Sequence, residues 1–209
     1  MSLLEKKYIF LDFDGVIKDS VDVKSDAFEK LFSRFGKCIS DKVREHHEHN
    51  GGMSRFEKIP LYLEWAKEKK SNKLTENYAL EFSSLVKQKV INSEWVPGIL
   101  PFLKKIDKKI FFIITATPQQ EIEEIISSLN IREYIKEVIG FPTKKGTAIK
   151  MILKKYSIPL DCATMVGDAI ADYDAAVDAK ISFVLRKTAL NKILQKKLNC
   201  VMMDDFSDE

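Results

Sequence analysis

The run Tyr8-Ile9-Phe10-Leu11 is apolar and β-forming, and it stops at Asp12-Phe13-Asp14-Gly15. A stretch this short and apolar, ended by Asp and Gly, has the pattern of a strand buried on both faces of a parallel sheet. In open α/β sheets ligands collect at the carboxyl ends of the strands, which is where Asp12 and Asp14 emerge. Side chains alternate along an extended segment, so the two aspartates share a face only as far as the strand lasts. Gly15 lets the backbone turn sharply just beyond them. Asp-x-Asp-Gly is also an ordinary strand-ending turn, so its meaning depends on the rest of the chain.

Helical periodicity follows. Val21, Ala27, Phe28, Leu31, Phe32 and Phe35 recur at spacings of three and four, which predicts an amphipathic helix ended by Gly36. A more polar helix is expected over 39–48, broken by Asn50-Gly51-Gly52. Ser54-Arg55-Phe56-Glu57 is a capping-box pattern, and Pro60 predicts a kink or restart in the helix after it. Thr75 is the expected cap of a helix carrying Tyr78, Phe82, Leu85, Val86 and Val90. Residues 19–91 therefore read as one all-helical segment.

Beyond Val96-Pro97-Gly98 strands and helices alternate. Ile99, Leu100, Leu103 and Ile106 line a short helix, and residues 110–114 form a second buried strand ending at Thr115-Ala116-Thr117. Pro118 at the first helical position starts the next helix, with Ile122, Ile125, Ile126 and Leu129 as its stripe. Residues 138–141, 162–166 and 181–185 read as further strands, 200–203 as a short edge strand, and 204–209 as a frayed acidic tail. This alternation predicts an α/β fold: a doubly wound parallel sheet with an all-helical segment inserted after its first strand. The expected division is a core of 5–18 and 92–206 and a helical domain of 19–91.

Composition narrows the function classes. With 45% hydrophobic and 31% charged residues the chain can bury a substantial core. The 34 basic and 31 acidic residues leave a net charge of only +3, which gives no electrostatic case for nucleic acid or a membrane surface. Cys38, Cys162 and Cys200 are odd in number and widely spaced, against a disulfide framework or a zinc site. No signal-peptide pattern precedes the first strand, and no apolar run approaches the roughly 20 residues that span a bilayer. A cytoplasmic chain is expected.

The strand ends carry a coherent set of groups. Asp12 and Asp14 close the first strand, Thr115 the second, Lys144 or Lys145 follows the third, and Gly167-Asp168 with Asp172 closes the fourth. Asp168 and Asp172, four apart, share a face if helical. Carboxylates gathered in one crevice repel one another, and a divalent cation resolves the conflict. Oxygen donors without nearby His or Cys suit Mg²⁺. A hydroxyl and a lysine add donors for an anion with several oxygens, so the set describes the surroundings of a phosphoryl group.

This arrangement resembles the haloacid dehalogenase superfamily of phosphohydrolases. The resemblance rests on Asp12-Phe13-Asp14-Gly15-Val16, Thr115, a lysine after the third strand and Gly167-Asp168-Ala169-Ile170-Ala171-Asp172, and spans nearly the whole chain. It implies that Asp12 is the nucleophile, forming an aspartyl-phosphate, and that Asp14 is general acid and then base. It implies Mg²⁺ held by Asp12, the Asp14 carbonyl oxygen and Asp168, with Asp172 in support, and phosphate held by Thr115 and a lysine. Lys145, directly before Gly146, fits the family pattern better than Lys144. A second aspartate two residues on belongs to phosphotransfer and is not needed for dehalogenation.

Gly51-Gly52-Met53-Ser54-Arg55 resembles the substrate-specificity loop in the helical cap of the phosphoglycolate phosphatase and β-phosphoglucomutase branch. Gly52, Arg55, Ala116 and Lys144 are accordingly expected to face substrate, with Arg55 gripping an anionic group. His46, His47 and His49 lack further zinc ligands and are expected on a polar helix near the entrance. Trp65 and Trp95 are expected to pack. The reading is a Mg²⁺-dependent phosphatase of a small phosphorylated metabolite, monomeric or weakly dimeric. A phosphomutase, or a binding protein that kept the fold, are the alternatives.

Overall fold

The computed structural model describes residues 5–69, 71–105 and 107–209. Strand β1 (Tyr8–Leu11) pairs in parallel with β2 (Ile110–Pro118) on one side and β4 (Ala163–Gly167) on the other. With β3 (Ile135–Phe141), β5 (Ser182–Arg186) and β6 (Val201–Met203), the described strands form one parallel sheet in the order β3-β2-β1-β4-β5-β6. Chain direction across the sheet reverses between β1 and β4, the switch point where ligands bind in such sheets.

Both faces of the sheet are covered, which is why β1 is apolar at every position. Ile9 and Leu11 join one buried cluster with Phe111, Ile113 and residues of α5 (Ile99–Leu103) and α6 (Gln119–Ser128). Phe10, one residue out of phase, joins the other with Phe112, Met165, α7 (Lys145–Lys155) and α8 (Ile170–Ala179). Each such side chain contributes on the order of 1.5–3 kcal/mol by leaving water.

Between β1 and α5 lie four helices: α1 (Val21–Phe32), α2 (Lys37–His49), α3 (Arg55–Trp65) and α4 (Asn72–Asn92). Their shared core is aromatic, with Phe28 and Phe82 rings 4.0 Å apart and Tyr62 edge-on to Phe32 at 5.4 Å. The two chain crossings into this block run side by side. Asp19 donates to the Glu94 carbonyl (2.9 Å), Val96 to the Ile17 carbonyl (3.1 Å), and the Lys18 ammonium lies 4.2 Å from the Trp95 ring centre.

Several local expectations are corrected. Helix α3 continues through Pro60 without a restart, with Ile59, Tyr62 and Leu63 around it fully buried. Ser71 caps α4, its Oγ accepting from Leu74 at 3.1 Å, while Thr75 sits in the first turn and donates to the Ser71 carbonyl. Strand β2 continues through Thr117, where β-branched residues favour extension, so α6 begins at Gln119 and Pro118 occupies the position before it. The tail is docked and not frayed: Phe206 is buried against Phe102, and its amide donates to the Pro97 carbonyl at 3.0 Å. The helix ending at Gly36 finishes as a 3-10 turn over Ser33–Phe35. A short helix α9 (Lys192–Lys197), with three lysines and no clear apolar stripe, was not anticipated. Residues 1–4 and Ile106, expected to line the helix after Gly98, lie outside the described residues.

Candidate active site

At the C-terminal end of β1 the backbone leaves the sheet at Asp12, whose amide still donates to the Val166 carbonyl at 3.0 Å. That bond fixes the Asp12 side chain over the boundary between β1 and β4. Its Oδ1 accepts from the Phe13 amide (2.8 Å) and its Oδ2 faces Lys145 Nζ at 2.8 Å. Lys145 is the first residue of α7, and the same ammonium reaches Asp172 Oδ1 at 2.6 Å. Asp172 has a second task. Its Oδ2 accepts from the Ala169 amide at 3.1 Å, closing the first turn of α8. Asp168 precedes that helix instead of sharing its face, and the turn into α8 carries it to the others. Carboxylate oxygens of Asp12, Asp168 and Asp172 all lie within 4.8 Å of one another.

Three buried or half-buried carboxylates thus face one ammonium. Burial, and then the neighbouring Asp172, push the Asp12 carboxyl up to about 7, against the pull of Lys145. Burial, followed by Asp12 and Asp172, raises Asp168 well above the ordinary carboxylate range. Lys145 is held above its ordinary value, because Asp12 and Asp172 outweigh the largest effect, burial. The donor set is all oxygen and over-supplied with negative charge, so it fits a hard divalent cation such as Mg²⁺. The backbone is shaped around it: Gly15 has φ +73°, and a Cβ there would stand 2.2 Å from Asp168 Oδ2. Asn191, buried on the loop after β5, fixes the same corner by donating to the Asp168 carbonyl at 2.8 Å.

Asp14 turns away from this cluster. Ser20 Oγ donates to its Oδ1 at 2.6 Å, Lys24 of α1 pairs with its Oδ2, and the Thr117 hydroxyl reaches it at 3.5 Å. Lys24 also donates to Thr117 Oγ1 at 3.0 Å. Burial works against ionisation of Asp14, but Lys24 and Ser20 together hold its carboxyl below the usual value. Two aspartates two residues apart therefore differ in electrostatic state, Asp12 pushed up and Asp14 pulled down.

A cavity of about 410 Å³ opens between the sheet edge and the helical block, lined by Asp12, Asp14, Thr115, Ala116, Lys145 and Gly52 among others. Gly52 has φ +80°, and its missing side chain lets the loop lie over the site, within 3.5 Å of Lys145 Nζ for a Cβ built there. Thr115 is buried, its Oγ1 accepting from the Thr117 amide at 3.2 Å. The adjacent lysines are told apart by the helix start: Lys145 enters the cluster, whereas Lys144 is exposed on the rim of a neighbouring cleft. That cleft is also lined by Gly52, Thr115, Ala116 and Lys145.

Arg55 does line the cavity but is already engaged. Its guanidinium makes two bonds to Glu121 of α6, at 2.8 and 2.6 Å, and a third to Ser83 of α4. Burial opposes ionisation of Glu121, yet Arg55 and Ser83 hold its carboxyl below the ordinary value. Of the histidines, His46 bonds the Tyr62 hydroxyl (3.0 Å) and the buried His47 bonds Lys58 (2.8 Å), whereas His49 is exposed at the cavity wall. Sequence reading missed Lys24, Thr117, Asn191 and Glu121. Of these, only Thr117 stood beside a residue already singled out.

Comparison with known proteins agrees with this geometry. The family model of haloacid dehalogenase-like hydrolases matches residues 8–185. The chain belongs to this family. No curated protein matches the haloacid dehalogenase-like chain at a significant level. Among solved structures, β-phosphoglucomutase from Clostridium difficile aligns with TM-score 0.77 at 22% identity, covering 97% of this chain and 92% of that one. A candidate phosphoglycolate phosphatase from Lactobacillus plantarum aligns with TM-score 0.78 at 15% identity, covering 97% of each. CbbY from Rhodobacter sphaeroides, solved with phosphate, gives 0.74 at 15% identity, covering 97% of this chain and 96% of that one. At these identities the likeness establishes the haloacid dehalogenase-like fold. The family assignment makes the chain a haloacid dehalogenase-like hydrolase.

Proposed function

We propose that the chain is a Mg²⁺-dependent phosphatase that hydrolyses a small phosphorylated metabolite through an aspartyl-phosphate on Asp12. The observation that carries this reading is the pairing of opposites at one strand end. Asp12 sits in a carboxylate cluster with Lys145, while Asp14, two residues on, is held apart by Ser20 and Lys24. In the proposed reaction an Asp12 carboxylate oxygen attacks phosphorus, and the departing alkoxide takes a proton from the Asp14 carboxyl, which takes that proton up as the negative charge of the bound ester offsets Lys24. Asp14, now ionised beside Lys24, draws a proton from water, and that water's oxygen attacks phosphorus and frees Asp12. Thr115 and Lys145 donate to phosphoryl oxygens as charge develops on them. Asp12, Asp168 and the Asp14 carbonyl, with Asp172 in support, would hold Mg²⁺, which when bound neutralises the carboxylates and polarises the phosphoryl group.

In this reading residues 19–91 act as a cap. Gly52 closes over Lys145, and Arg55–Glu121 ties α3 to α6, so bulk water is kept from the acyl phosphate. The modest net charge of +3 supports a small-molecule substrate over nucleic acid. Hydrolysis of an aryl phosphate at pH 7, with Mg²⁺ and with excess chelator, tests the proposal on wild type and Asp12→Asn. Turnover should need Mg²⁺ and fall by at least about a thousand-fold in the variant, on the scale of losing a reacting group. Turnover that survives the substitution defeats the mechanism. The likeness to β-phosphoglucomutase favours phosphate transfer to a second hydroxyl as the other reading, detected as a phosphorylated product in place of free phosphate.

A further inference from the structure

Two clefts meet at Thr115, Ala116 and Lys145, and they differ in what else lines them. Asp12 and Asp14 line the cavity of about 410 Å³, whereas among the described residues the second cleft has neither in its wall. An ester whose leaving oxygen faces Asp14 therefore extends its alcohol into the first. That cavity is also lined by Met53 from the helical block and by Leu190 and Ile193 from the core. The three are 37%, 37% and 52% exposed, against 4% for Asp12 at the floor, so they stand at its mouth. None of them packs into the buried clusters of the described residues.

The segment that presents Leu190 and Ile193 is closely tied. The Thr188 amide donates to Asn191 Oδ1 at 2.9 Å, and the Asn191 amide returns a bond to Thr188 Oγ1 at 3.1 Å. Gln195 of α9 donates to the same Asn191 Oδ1 at 2.7 Å. Asn191 in turn holds the Asp168 carbonyl, and Leu194 packs against the cluster shared with α7 and α8. Both apolar side chains thus ride on a frame fixed to the carboxylate cluster. Lys24 and Arg55, deeper in the cavity, are already matched to Asp14 and Glu121, and the exposed His49 and Lys197 also line its wall. An exposed apolar patch with polar neighbours, continuous with a reactive floor, has the form of a ligand contact. Met53 suits such a place, because its unbranched thioether adapts to the shape it meets.

We propose that Met53, Leu190 and Ile193 bind an apolar part of the leaving group, so that the preferred substrate is the monophosphate of an alcohol with an alkyl or aryl body. The inference rests on the phosphatase reading of this cavity. The strand ends hold the phosphoryl group, and the mouth takes carbon out of water.

Ethyl, butyl and hexyl phosphate test it on the Mg²⁺-loaded protein, because their alcohols leave with nearly equal ease and differ in apolar length. Diethylene glycol monophosphate, as long as the hexyl ester but polar, is the control. Wild type should gain about two- to four-fold in kcat/KM for each added methylene, chiefly through KM. It should treat the glycol ester like the ethyl ester. Leu190→Ser with Ile193→Ser should flatten the rise from ethyl to hexyl, whereas Ile193→Leu should keep it. Equal use of ethyl and hexyl phosphate by wild type, or of the hexyl and glycol esters, overturns the inference. So does an undiminished rise in the folded double variant, even where every ester is slowed by the same factor, since these residues would then serve cap closure alone. Calorimetric binding to Mg²⁺-loaded Asp12→Asn separates this from failure of the phosphatase reading. Tighter binding of hexyl than of ethyl phosphate, lost on adding Leu190→Ser and Ile193→Ser, sustains the contact even if no ester is turned over. Equal binding of the two overturns it whatever the turnover.

Discussion

Asp12 and Asp14 differ by two positions and by their surroundings, and the proposed division of labour rests on place: Asp12 lies in the carboxylate cluster, where a bound cation would ionise it, and Asp14 lies outside it. Asp14 touches no member of the carboxylate cluster; its partners are Ser20, Lys24 and Thr117. An Asp14→Asn protein keeps these neighbours but has no proton to give or take. With an alkyl phosphate, whose leaving alkoxide needs that proton, kcat is expected to fall by about a hundred- to ten-thousand-fold. With an aryl phosphate, whose leaving group departs unassisted, the loss in the first step should be much smaller, so the ratio of the two rates is the measurement. Equal losses on both esters would contradict the acid role. At this scale the sequence was legible where chemistry and backbone coincide. Asp12, Asp14 and Asp168 follow strands, Lys145 and Asp172 stand in the first turns of helices, and Thr115 lies in the last part of β2; each lines the cavity or its carboxylate cluster. Lys24 was not legible, because an exposed-looking lysine on an amphipathic helix gives no sign of which carboxylate it will meet 10 residues back in the chain.

Among the helices and strands, the contact between α3 and α6 matters most to the site. Arg55 and Glu121 are almost fully buried and bonded through both nitrogens of the fork. Glu121→Ala would leave a buried guanidinium without its carboxylate, and should cost about 3–5 kcal/mol in urea unfolding. The double variant Arg55→Met with Glu121→Leu should recover most of that loss, since apolar pairs of similar volume replace buried ion pairs at little cost. A loss below about 1 kcal/mol in Glu121→Ala would show that the pair is solvated and not a tie. Arg55 was recognisable from its place after Gly51-Gly52, but Glu121 was hidden in the polar face of a helix 66 residues later. The same limit explains the other misses. Pro60 and Thr75 were judged by local preference, whereas α3 continues through Pro60 and a nearer cap at Ser71 starts α4. The β1 and β2 runs, by contrast, were legible because burial on both faces leaves no room for polar residues.

For the whole molecule, the carboxylate cluster makes stability depend on pH in a direction set by its raised members. Asp12 rises from 3.8 to about 7 in the folded chain, and Asp168 rises as well. Between about pH 4 and 7 the metal-free folded state holds more protons than the unfolded state, so stability falls as pH rises through that window. Lys58, pushed down to about 7, is charged in both states over most of the window and adds little slope there. The buried His47 imidazole, held well below its ordinary value, slopes the other way, so the test is a difference: with chelator present, the Tm of wild type relative to Asp12→Asn should fall from pH 5 to pH 7. Saturating Mg²⁺ should raise Tm more at pH 7 than at pH 5, because it binds the ionised cluster. A metal-free Tm difference between wild type and Asp12→Asn that stays flat or climbs over this range would contradict the cluster's electrostatics. The central claim is that Asp12 carries the phosphoryl group, and the most direct measurement is chemical trapping during turnover. The protein is quenched in acid while hydrolysing an aryl phosphate with Mg²⁺, reduced with borohydride, digested and read by mass spectrometry. The account predicts homoserine at position 12, formed from the acyl phosphate and absent when substrate is withheld. An unmodified aspartate at position 12 during steady turnover, or reduction at another carboxylate, would contradict it.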